Sequence, residues 1–394
     1  MRLLLLTLYA PIGGVPATTQ AFASALRALG HDVTIAFAVY SSVWPHLSVR
    51  PWQVAFKRPQ AETIDYLGFR GVAVGAYVPE LEWCRYLPHH HWRRLMAGHD
   101  ACVGVLGSVL PALTYAAADQ PALCWVGTPW RADREDRVRD FSLPRRVFDR
   151  VFEAPMSERL ERFTLRRVDV LSISSYTRDA LREIEPQARL AGVLPPPIDT
   201  SLFKPAERPA NTPLKIGFVG RVEDPRKNIE LLVGATAELR RRGVTVETHV
   251  FGGEAPPAMS RLLSQQGLAD AVTFHARGDT AALVAFYQSL DVFVIPSHQE
   301  GLAVVGVEAM ACGLPIVSTR CRGPADYVKE GETGLFADFD ASDMADRIQS
   351  LLEDTTLRAR FGQAALAHVR ANNSPEAFRA NVASHLAQKF PRSV

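Results

Sequence analysis

Two glutamates, Glu300 and Glu308, are placed where carboxylates could hold a ligand from both ends. Glu300 follows the apolar run DVFVIPS in a stretch with loop character, and Glu308 lies in a segment that predicts a helix. If the interval between them were wholly helical, its ~1.5 Å rise per residue would separate the carboxylates by about 12 Å. That span is comparable to the distance from a sugar, across a diphosphate, to a ribose. The spacing therefore fits carboxylates that accept hydrogen bonds from the hydroxyls of a sugar nucleotide.

The residues between the glutamates offer a place for the diphosphate. Gly301, Leu302 and Ala303 are predicted to begin the helix, whose free N–H groups and positive dipole end attract anions. Gly301 also lets a ligand approach the backbone closely. On spacing alone, a capping Glu300 and a solvated, helical Glu308 explain the pattern equally well.

A cationic pair stands earlier in the chain. The segment GFVGRVEDPRKNIELL places Gly220 and Arg221 after a strand and Lys227 before a helix. Both cations are predicted to project from the carboxyl edge of a sheet, where open α/β folds bind ligands. Arginine holds phosphate oxygens bidentately and lysine supplies a point charge, although an exposed surface pair is the alternative. The spacing of GFVGRV breaks the G-x-G-x-x-G pattern, so a dehydrogenase is not predicted.

Positioning these residues requires a parallel sheet, and the first half of the chain predicts one. It opens with an apolar strand from Leu3 to Leu8, a Gly/Pro loop, a helix from about Thr18 to Leu29, and the strand GHDVTIAFA. Three more buried strands are predicted at 101–107, 121–127 and 168–174. Runs that are apolar on both faces are typical of a parallel sheet covered by helices.

The strand–helix pattern restarts after the proline-rich segment VLPPPIDTSLFKPAERPANTP. Strands are then predicted at 214–220, 246–252, 272–276 and 292–296, and at PIVST, with helices between them. We therefore expect two α/β domains, 1–205 and 206–375, followed by an amphipathic helix within 376–394.

Composition narrows the class of protein and its partners. Apolar residues make up 47% and charged residues 22%, as in an ordinary soluble globular protein. The formal net charge of +2 predicts no nucleic-acid partner. Five cysteines without metal-ligand spacing are typical of reduced, buried thiols, and no apolar run is long enough to span a bilayer. We therefore expect a cytoplasmic protein.

Two further patterns have the look of metal sites. Asp338 and Asp340 form an Asp-x-Asp, but a loop leading into a helix favours capping roles for them. The run HHHW at 89–92 places three imidazoles in succession, which cannot easily face one ion. We predict no metal at either place.

The motifs taken together resemble those of the retaining glycosyltransferases of family 4, which have the GT-B fold. GFVGRVEDPRKN is similar to the family's strand–Gly-Arg–Lys-Asn segment, PSHQEGLAVVGVEAMACGLPIVST to its Glu-x7-Glu signature, and GETGLFADFD to its Gly-x-Thr-Gly-Leu turn. In the first half, PIGG resembles its diphosphate-contacting glycine loop, and SISSYTRDAL and PPPIDTSLFKP resemble its later motifs. The resemblance covers nearly the whole chain.

The resemblance implies two Rossmann-like domains with parallel sheets that face each other across a cleft. The acceptor would bind to domain 1–205 and the nucleotide-sugar donor to domain 206–375, and the last helix would cross back to the first domain. Arg221 and Lys227 would neutralise the diphosphate, and Glu300 would bind the donor sugar. The other implied donor-binding residues are Gly13, Gly14, Gly220, Gly301, Leu302, Ala303 and Glu308. No metal and no cofactor beyond the donor are implied.

One position departs from the family pattern. Gly127, in CWVGTPWRAD, stands where many relatives carry a histidine beside the donor sugar. The contribution of that imidazole is then either absent or supplied by Thr128, Trp130 or Arg131, which we assign to the acceptor and donor-sugar side.

The implied activity is that of a retaining hexosyltransferase. It would move a sugar from a GDP- or UDP-linked donor to a hydroxyl of a glycan, glycolipid or small-molecule acceptor, in glycan or envelope polysaccharide biosynthesis. Two alternatives remain open: a nucleotide-sugar-binding protein without catalysis, and a nucleotide-sugar epimerase of the same fold. The sequence does not indicate an oligomeric state.

The arginine-rich segment 131–167, with interleaved Phe, Leu and Val, admits two interpretations. It fits a peripheral contact with the inner face of a membrane. It fits equally a set of helices packed on the domain with arginine outside, where Asp and Glu offset most of the charge.

Overall fold

The computed structural model describes residues 1–9, 14–40, 42–139, 141–207 and 213–391. The chain divides into two compact units: Pro197–Ala377 is the second, and Met1–Pro196 together with the residues from Phe378 onward is the first. The predicted boundary at residue 205 lies slightly beyond this division, inside the same proline-rich segment. The assignment of 1–205 to an acceptor and 206–375 to a donor remains a prediction.

The first unit is built on an eight-stranded sheet with the order β3-β4-β2-β1-β5-β6-β7-β8. The β3–β4 pair is antiparallel, and all other neighbours pair in parallel. The strands are β1 (Arg2–Leu8), β2 (Asp32–Ala38), β3 (Ala61–Tyr66), β4 (Phe69–Val74), β5 (Ala101–Leu106), β6 (Ala122–Val126), β7 (Asp169–Ser172) and β8 (Leu190–Val193).

Helices cover both faces of this sheet, as the two-sided apolar runs predict. Leu3 and Leu5 of β1 pack in one buried cluster, whereas Leu4 and Leu6 pack in another on the opposite face. The α-helices of the unit are α1 (Gly14–Ala28), α2 (His90–Ala97), α3 (Leu113–Ala116), α4 (Trp130–Arg139), α5 (Leu143–Phe148), α6 (Ala154–Leu165) and α7 (Ser175–Ile184). A π-helical turn, Asp149–Glu153, joins α5 to α6.

The second unit is built on a six-stranded sheet with the order β11-β10-β9-β12-β13-β14, and every neighbouring pair is parallel. Counted within the unit, this is the strand order 3-2-1-4-5-6 of a Rossmann fold, which reverses between β9 and β12. The strands are β9 (Lys215–Val219), β10 (Glu247–Phe251), β11 (Val272–His275), β12 (Val292–Ile295), β13 (Ile316–Thr319) and β14 (Gly334–Ala337).

From β9 to β13 the strands of the second unit alternate with helices, as βαβ connections require, whereas a 3₁₀ turn, Gly323–Asp326, lies between β13 and β14. A buried cluster that includes Ile216 and Phe218 of β9 packs β-strand residues against Leu232 and Ile348 of two helices. The helices are α8 (Ile229–Arg241), α9 (Pro257–Gln265), α10 (Thr280–Gln288), α11 (Val304–Ala311), α12 (Ala341–Glu353) and α13 (Thr355–Asn372).

The last helix, α14 (Pro375–Lys389), packs on the first unit from Phe378 onward. Phe378, Val382 and Leu386 recur at intervals of four, so they share one face of the helix, and all three are buried. They lie in the same cluster as Phe22 and Trp125 of the first unit. The apolar face of this helix therefore completes the core of the first unit.

Some elements differ from the sequence predictions. The helix expected from about Thr18 begins at Gly14, and the hairpin β3–β4 was not predicted. Its strand Ala61–Tyr66 is half exposed and polar, so it lacks the apolar run of a buried strand. All five cysteines are buried and free, as expected. No helix in the described ranges is both long and apolar enough to cross a membrane.

Candidate functional site

The loops that follow β9 and β12 meet at the carboxyl edge of the second sheet. These strands are neighbours, and the strand order reverses between them. In open α/β sheets the crevice outside the strand ends at such a reversal is the usual ligand site. Arg221 and Lys227 come from the first of these loops and Glu300 from the second. The fold therefore gathers the predicted cations and one predicted carboxylate at a single edge.

Lys227 and Glu300 are in direct contact. Lys227 Nζ donates a 2.7 Å hydrogen bond to Glu300 Oε1, and Ser297 Oγ donates another of 2.7 Å to the same oxygen. The two charged side chains are only 16% and 9% exposed. A partly dehydrated ion pair of this kind is held in one geometry, and losing either partner leaves a costly buried charge.

The turn that carries both cations is organised by Asp224. Arg221 and Arg226 donate to Asp224 Oδ2 at 2.9 and 2.8 Å, and Asp224 also caps the short 3₁₀ turn Pro225–Lys227. Burial raises the pKa of this carboxyl, but the hydrogen bonds from Arg226 outweigh burial and hold the pKa below its usual value. Asp224 thus keeps its charge and fixes the turn while the side chain of Arg221 stays 57% exposed.

Gly220 sets the direction in which the chain leaves β9. Its N–H donates to the carbonyl of Phe251 at 2.9 Å, and a Cβ on Gly252 would lie 2.1 Å from its carbonyl oxygen. The two glycine backbones therefore touch, which places Arg221 at the sheet edge. A larger residue at position 252 would force the two loops apart.

The helix after Glu300 begins later than the sequence predicts. Its first residue is Val304, and Ala303 is the N-cap with φ 60° and ψ 67°, in the left-handed region. Gly301, Leu302 and Ala303 are therefore loop residues, and the part of the interval from Val304 to Glu308 that is helical rises only about 6 Å. The continuous helix that the 12 Å estimate assumed is therefore not present between Glu300 and Glu308, and the estimate does not apply.

Residues that follow β13 contact this loop and hold it in place. The hydroxyl of Tyr327 donates to the carbonyl of Ala303 at 2.9 Å, and the ring is buried. Gly323 lies against the loop so closely that a Cβ there would meet the carbonyl oxygen of Gly301 at 2.5 Å. Leu302 and Ala303 are buried, so their side chains are largely inaccessible to solvent.

Unusual backbone conformations concentrate at this edge. Within the described part of the second unit, the non-glycine residues with positive φ are Asn228, Ala303 and Arg322. They follow β9, β12 and β13 respectively. Such conformations cost of order 1–3 kcal/mol each and cluster at binding and catalytic sites. Asn228 also ties the first two loops together, since its Nδ2 donates to the carbonyl of Pro296 at 3.1 Å.

Glu308 has a partner in a different helix. The hydroxyl of Tyr287 in α10 donates a 2.8 Å hydrogen bond to Glu308 Oε2. Burial raises the pKa of Glu308 above its usual value, and the bond from Tyr287 opposes that rise in part. The carboxylate is thus fixed by a buried hydroxyl, while the Lys227–Glu300 pair forms a separate contact.

The predicted glycine loop of the first unit is described only in part. Gly13 lies outside the described residues. Gly14 is the first residue of α1 and is exposed, and a Cβ there would meet no atom within 4 Å.

Thr128, Trp130 and Arg131 lie where β6 leads into α4, in the first unit. Trp130 is only 1% exposed, and its ring packs in the core of the first unit. The assignment of Trp130 to the acceptor and donor-sugar side stays a prediction. Arg131 is exposed and donates to Glu158 at 2.8 Å. The N–H of Thr128 donates to the carbonyl of Gly107 at 2.8 Å.

The patterns with a metal-like appearance have other roles in the structure. Asp340 Oδ1 accepts from the N–H groups of Ser342 and Asp343 and caps α12, as expected. His89 lies next to the carbonyl of Gly75, at 2.8 Å from its Nε2. Within the described ranges, no group of three or more His, Cys, Asp or Glu side chains is arranged to hold a metal ion.

Four supporting residues were not foreseen. Ser297 and Asp224 each lie three residues from the group they contact, so a search for polar neighbours in the loops could have found them. Tyr287 and Tyr327 act from other elements, and nothing in the local sequence links them to Glu308 or Ala303.

The class of the second unit follows from its sequence. Residues 199–368 match the model of the family "Glycosyl transferases group 1". The match lies wholly inside the second unit, Pro197–Ala377, and covers less than half of the chain. The unit that carries Arg221, Lys227 and Glu300 is therefore similar, over most of its length, to a glycosyltransferase group 1 domain.

Curated relatives are similar over a comparable length. The D-inositol 3-phosphate glycosyltransferase of Arthrobacter sp. (strain FB24) is 34% identical over 192 residues, which cover 45% of this chain and 45% of the relative. The protein of the same description from Corynebacterium aurimucosum is 31% identical over 220 residues, covering 51% and 52%. The chain thus matches about half the length of these relatives.

Solved structures resemble the whole chain. Sucrose-phosphate synthase from Thermosynechococcus elongatus superposes with a TM-score of 0.71 at 20% identity and covers 100% of both chains. Anabaena HepE in complex with UDP gives a TM-score of 0.70 at 16% identity, covering 98% of this chain and 100% of HepE. The chain has the α/β fold of GT-B glycosyltransferases, with two units built on parallel sheets, which confirms the predicted fold class.

Proposed function

We propose that the protein is a glycosyltransferase that moves a sugar from a nucleoside diphosphate sugar to an acceptor hydroxyl, with retention of the anomeric configuration. The observation that carries this proposal is the Lys227–Glu300 pair at the strand-order reversal of a glycosyltransferase group 1 domain. At one edge of the sheet, this pair brings together a cation that can bind a diphosphate and a carboxylate that can accept hydrogen bonds from sugar hydroxyls.

In this proposal each charged group has a distinct role. Arg221, whose guanidinium is largely exposed, and Lys227 offset the charge of the departing diphosphate. Glu300 accepts hydrogen bonds from the donor sugar, and both of its described side-chain bonds end on Oε1, so Oε2 is the oxygen that it offers. Glu308 binds the ribose. Gly220 and the backbone of 301–303 contact the diphosphate, and the assignment of Gly13 and Gly14 to donor binding stays a prediction.

The reaction proposed needs no protein nucleophile. The acceptor oxygen forms a bond to the anomeric carbon as the bond from that carbon to the phosphate oxygen breaks. A phosphate oxygen of the leaving group takes the acceptor proton on the same face of the sugar. Catalysis then rests on positioning and on charge stabilisation of the leaving group, and we propose no metal ion or other cofactor.

The relatives suggest which donors and acceptors to try first. HepE has been crystallised with UDP-glucose, which supports a UDP-linked donor, and GDP-linked sugars are the second choice. We propose a glycan or glycolipid hydroxyl as acceptor, in cytoplasmic biosynthesis of a glycan or envelope polysaccharide. The name of the curated relatives makes inositol 3-phosphate the small-molecule acceptor to test beside it.

The first test is a panel of UDP- and GDP-sugars scored by thermal shift. A ligand at 100 times its Kd stabilises the folded protein by about 2.7 kcal/mol, which is readily measured as a higher Tm. We expect one nucleotide family to stabilise the protein and Arg221→Ala to lose most of that shift. If no sugar nucleotide raises the Tm at high concentration, the donor site is wrong.

Release of nucleoside diphosphate then separates the three candidate functions. A glycosyltransferase releases it in proportion to acceptor, and NMR of the product reports the anomeric configuration. A binding protein shows the thermal shift without release. An epimerase converts the donor when no acceptor is present.

A further inference from the structure

Residues 143–165 form one continuous helical segment of the first unit, here called the 143–165 helix. It consists of α5, the π-helical turn Asp149–Glu153 and α6. At ~1.5 Å per residue, the segment is about 35 Å long. A π-helical turn contains one more residue than an α-helical turn. The side chains of α5 and α6 therefore do not continue one regular α-helical spacing across it.

Large apolar side chains of this helix are exposed to solvent. Leu143, Val147 and Val151 are 72%, 62% and 57% exposed, and their four-residue spacing puts them along one side. Within the π-helical turn Phe152, the neighbour of Val151, is also exposed at 64%, and Met156 follows at 41%. Exposed apolar residues grouped along one helix mark an interaction surface.

Three of the four acidic residues of the helix face the interior. Asp149, Glu153 and Glu161 are 5%, 0% and 1% exposed. Glu153 and Glu161 each accept a buried backbone N–H at 2.8 Å, from Glu82 and Trp130 respectively. Asp149 is paired with a buried arginine. These carboxylates serve the packing of the first unit and contribute little to the charge of its surface.

The arginines of the same segment face outward. Arg146, Arg150, Arg159 and Arg162 of the helix are exposed, as are Arg166 and Arg167 directly after it. Within 143–167, all of which the structure describes, the remaining acid is Glu158, whose side chain is 28% exposed and paired with Arg131. The sequence predicts that Asp and Glu offset most of the positive charge over the longer segment 131–167. Within 143–167 three of the four acids are buried, so they offset little of the positive charge at this part of the surface.

We propose that the 143–165 helix docks the protein on an anionic lipid surface. Charge complementarity favours lipid as the occupant, since apolar side chains are flanked along the whole helix by exposed arginines. Such a helix lies in the interface with its apolar residues in the acyl boundary, while long arginine stems reach the headgroups. This inference does not depend on the glycosyl-transfer proposal.

Flotation with vesicles tests the proposal directly. We expect the protein to float with phosphatidylcholine vesicles that contain phosphatidylglycerol at low salt. It should float weakly with phosphatidylcholine alone, and high salt should reduce binding because it screens the arginines. Protein that stays in the soluble fraction with anionic vesicles at low salt overturns the proposal.

Two variants separate the apolar and the charged contributions. Val147→Ser/Val151→Ser/Phe152→Ser should lower partitioning by more than about tenfold, because the apolar side chains no longer enter the membrane. Arg150→Glu/Arg159→Glu should lower it by at least about thirtyfold, since each basic residue near an anionic surface contributes about fivefold.

Matched controls carry the same substitutions on the second unit. Leu202→Ser/Phe339→Ser changes two side chains that are 50% and 52% exposed, and Arg261→Glu/Arg370→Glu makes the same charge change at exposed positions. Both controls should bind vesicles like the wild type, and equal losses in controls and test variants would contradict the assignment.

A second copy of the chain is the competing occupant of this surface. If sedimentation shows a dimer that the serine variant dissociates, and anionic vesicles do not bind, the helix is a protein interface and the proposal is wrong. Donor-induced thermal shifts measured on the same variants should equal that of the wild type, which keeps a failure of docking distinct from a failure of the donor site.

Discussion

At the residue scale, the contact between Lys227 and Glu300 joins two roles that the sequence assigned separately. Glu300 Oε1 takes hydrogen bonds from Lys227 and Ser297 at 2.7 Å, in a largely buried setting. The two opposite charges neutralise each other, and their contact fixes both side chains at the carboxyl edge of the sheet. A diphosphate that approaches Lys227 would therefore also change the environment of Glu300.

Glu300→Gln and Lys227→Ala should each reduce turnover by about ten- to hundredfold. Each removes a charge-assisted contact in the site, which is worth roughly 1.5–3 kcal/mol. The measurement is the initial rate of nucleoside diphosphate release, with circular dichroism to show that the fold is intact.

The double variant tests whether the pair acts as a unit. We expect Lys227→Ala/Glu300→Gln to lose less than the sum of the two single losses, since groups in direct contact are not independent. Wild-type rates in Lys227→Ala would remove the diphosphate assignment.

Glu308→Gln should raise the apparent KM for the donor more than it lowers kcat. The ribose is remote from the reacting carbon, so its contact contributes to ground-state and transition-state binding alike. Steady-state kinetics over a range of donor concentrations measures both constants. Ser350→Ala, on the surface of α12, is the control, and a fall in kcat with unchanged KM would place Glu308 nearer the chemistry.

At the element scale, the site depends on the loops that follow β9, β12 and β13. Contacts with residues outside each loop set its shape. The loop 300–303 rests on Gly323, and its last carbonyl is held by the hydroxyl of Tyr327. Ala303 adopts a left-handed conformation and α11 starts only at Val304. The position of this helix end, which would face the diphosphate, is thus set by residues after β13.

Gly323→Ala should lower kcat/KM, and its effect on the free energy of unfolding should be smaller than its effect on catalysis. Its Cβ would meet the carbonyl oxygen of Gly301 at 2.5 Å and the Cα of Leu302 at 2.6 Å, so the backbone of this loop has to move. We expect at least about a tenfold loss in kcat/KM, since small displacements in a site are costly. Gly98→Ala is the control, because its nearest neighbour would lie at 3.4 Å. Equal kinetics in both variants would contradict a role for Gly323 in shaping the loop.

At the scale of the whole molecule, buried carboxylates connect the elements of the first unit. Glu161 of α6 accepts the N–H of Trp130 at the start of α4, and both side chains are almost fully buried. Burial raises the pKa of Glu161 to about 7, against an ordinary value of 4.5. The stability of the first unit should therefore depend on pH.

The stability contribution from Glu161 should fall as pH rises from about 4.5 to about 7. Over that interval the folded state keeps a proton that the unfolded state has lost, so unfolding becomes easier by about 3 kcal/mol in total. Glu161→Gln keeps an acceptor for Trp130 and cannot ionise. We expect its Tm relative to wild type to be higher at about pH 8 than at about pH 5.

Glu183→Gln serves as the control, since Glu183 is exposed on α7 and is not among the groups that shift the pKa of Glu161. Its Tm difference from wild type should change much less between the two pH values. A constant Tm difference for Glu161→Gln across this range would show that Glu161 does not titrate as described.

The sequence by itself determined the arrangement of elements and the residue types at the site. Apolar runs with glycine-rich turns specify parallel strands and helices because the signal is local and periodic. Arg221, Lys227 and Glu300 could be assigned to the carboxyl edge because they follow strands in an alternating pattern, and two of them meet there. The sequence does not predict the hairpin β3–β4, because half-exposed strands carry a weaker apolar signal.

Only the tertiary structure decided which partners these residues have. Glu308 is held by Tyr287 of another helix, and α11 begins at Val304 because Tyr327 and Gly323 shape the loop before it. Likewise, the composition of 131–167 predicts that Asp and Glu offset most of the positive charge, whereas within 143–167 the fold buries three of the four acids and leaves six arginines exposed. The physical reason is the same in each case. Burial and contact depend on packing between elements distant in sequence, and local residue patterns carry no record of that packing.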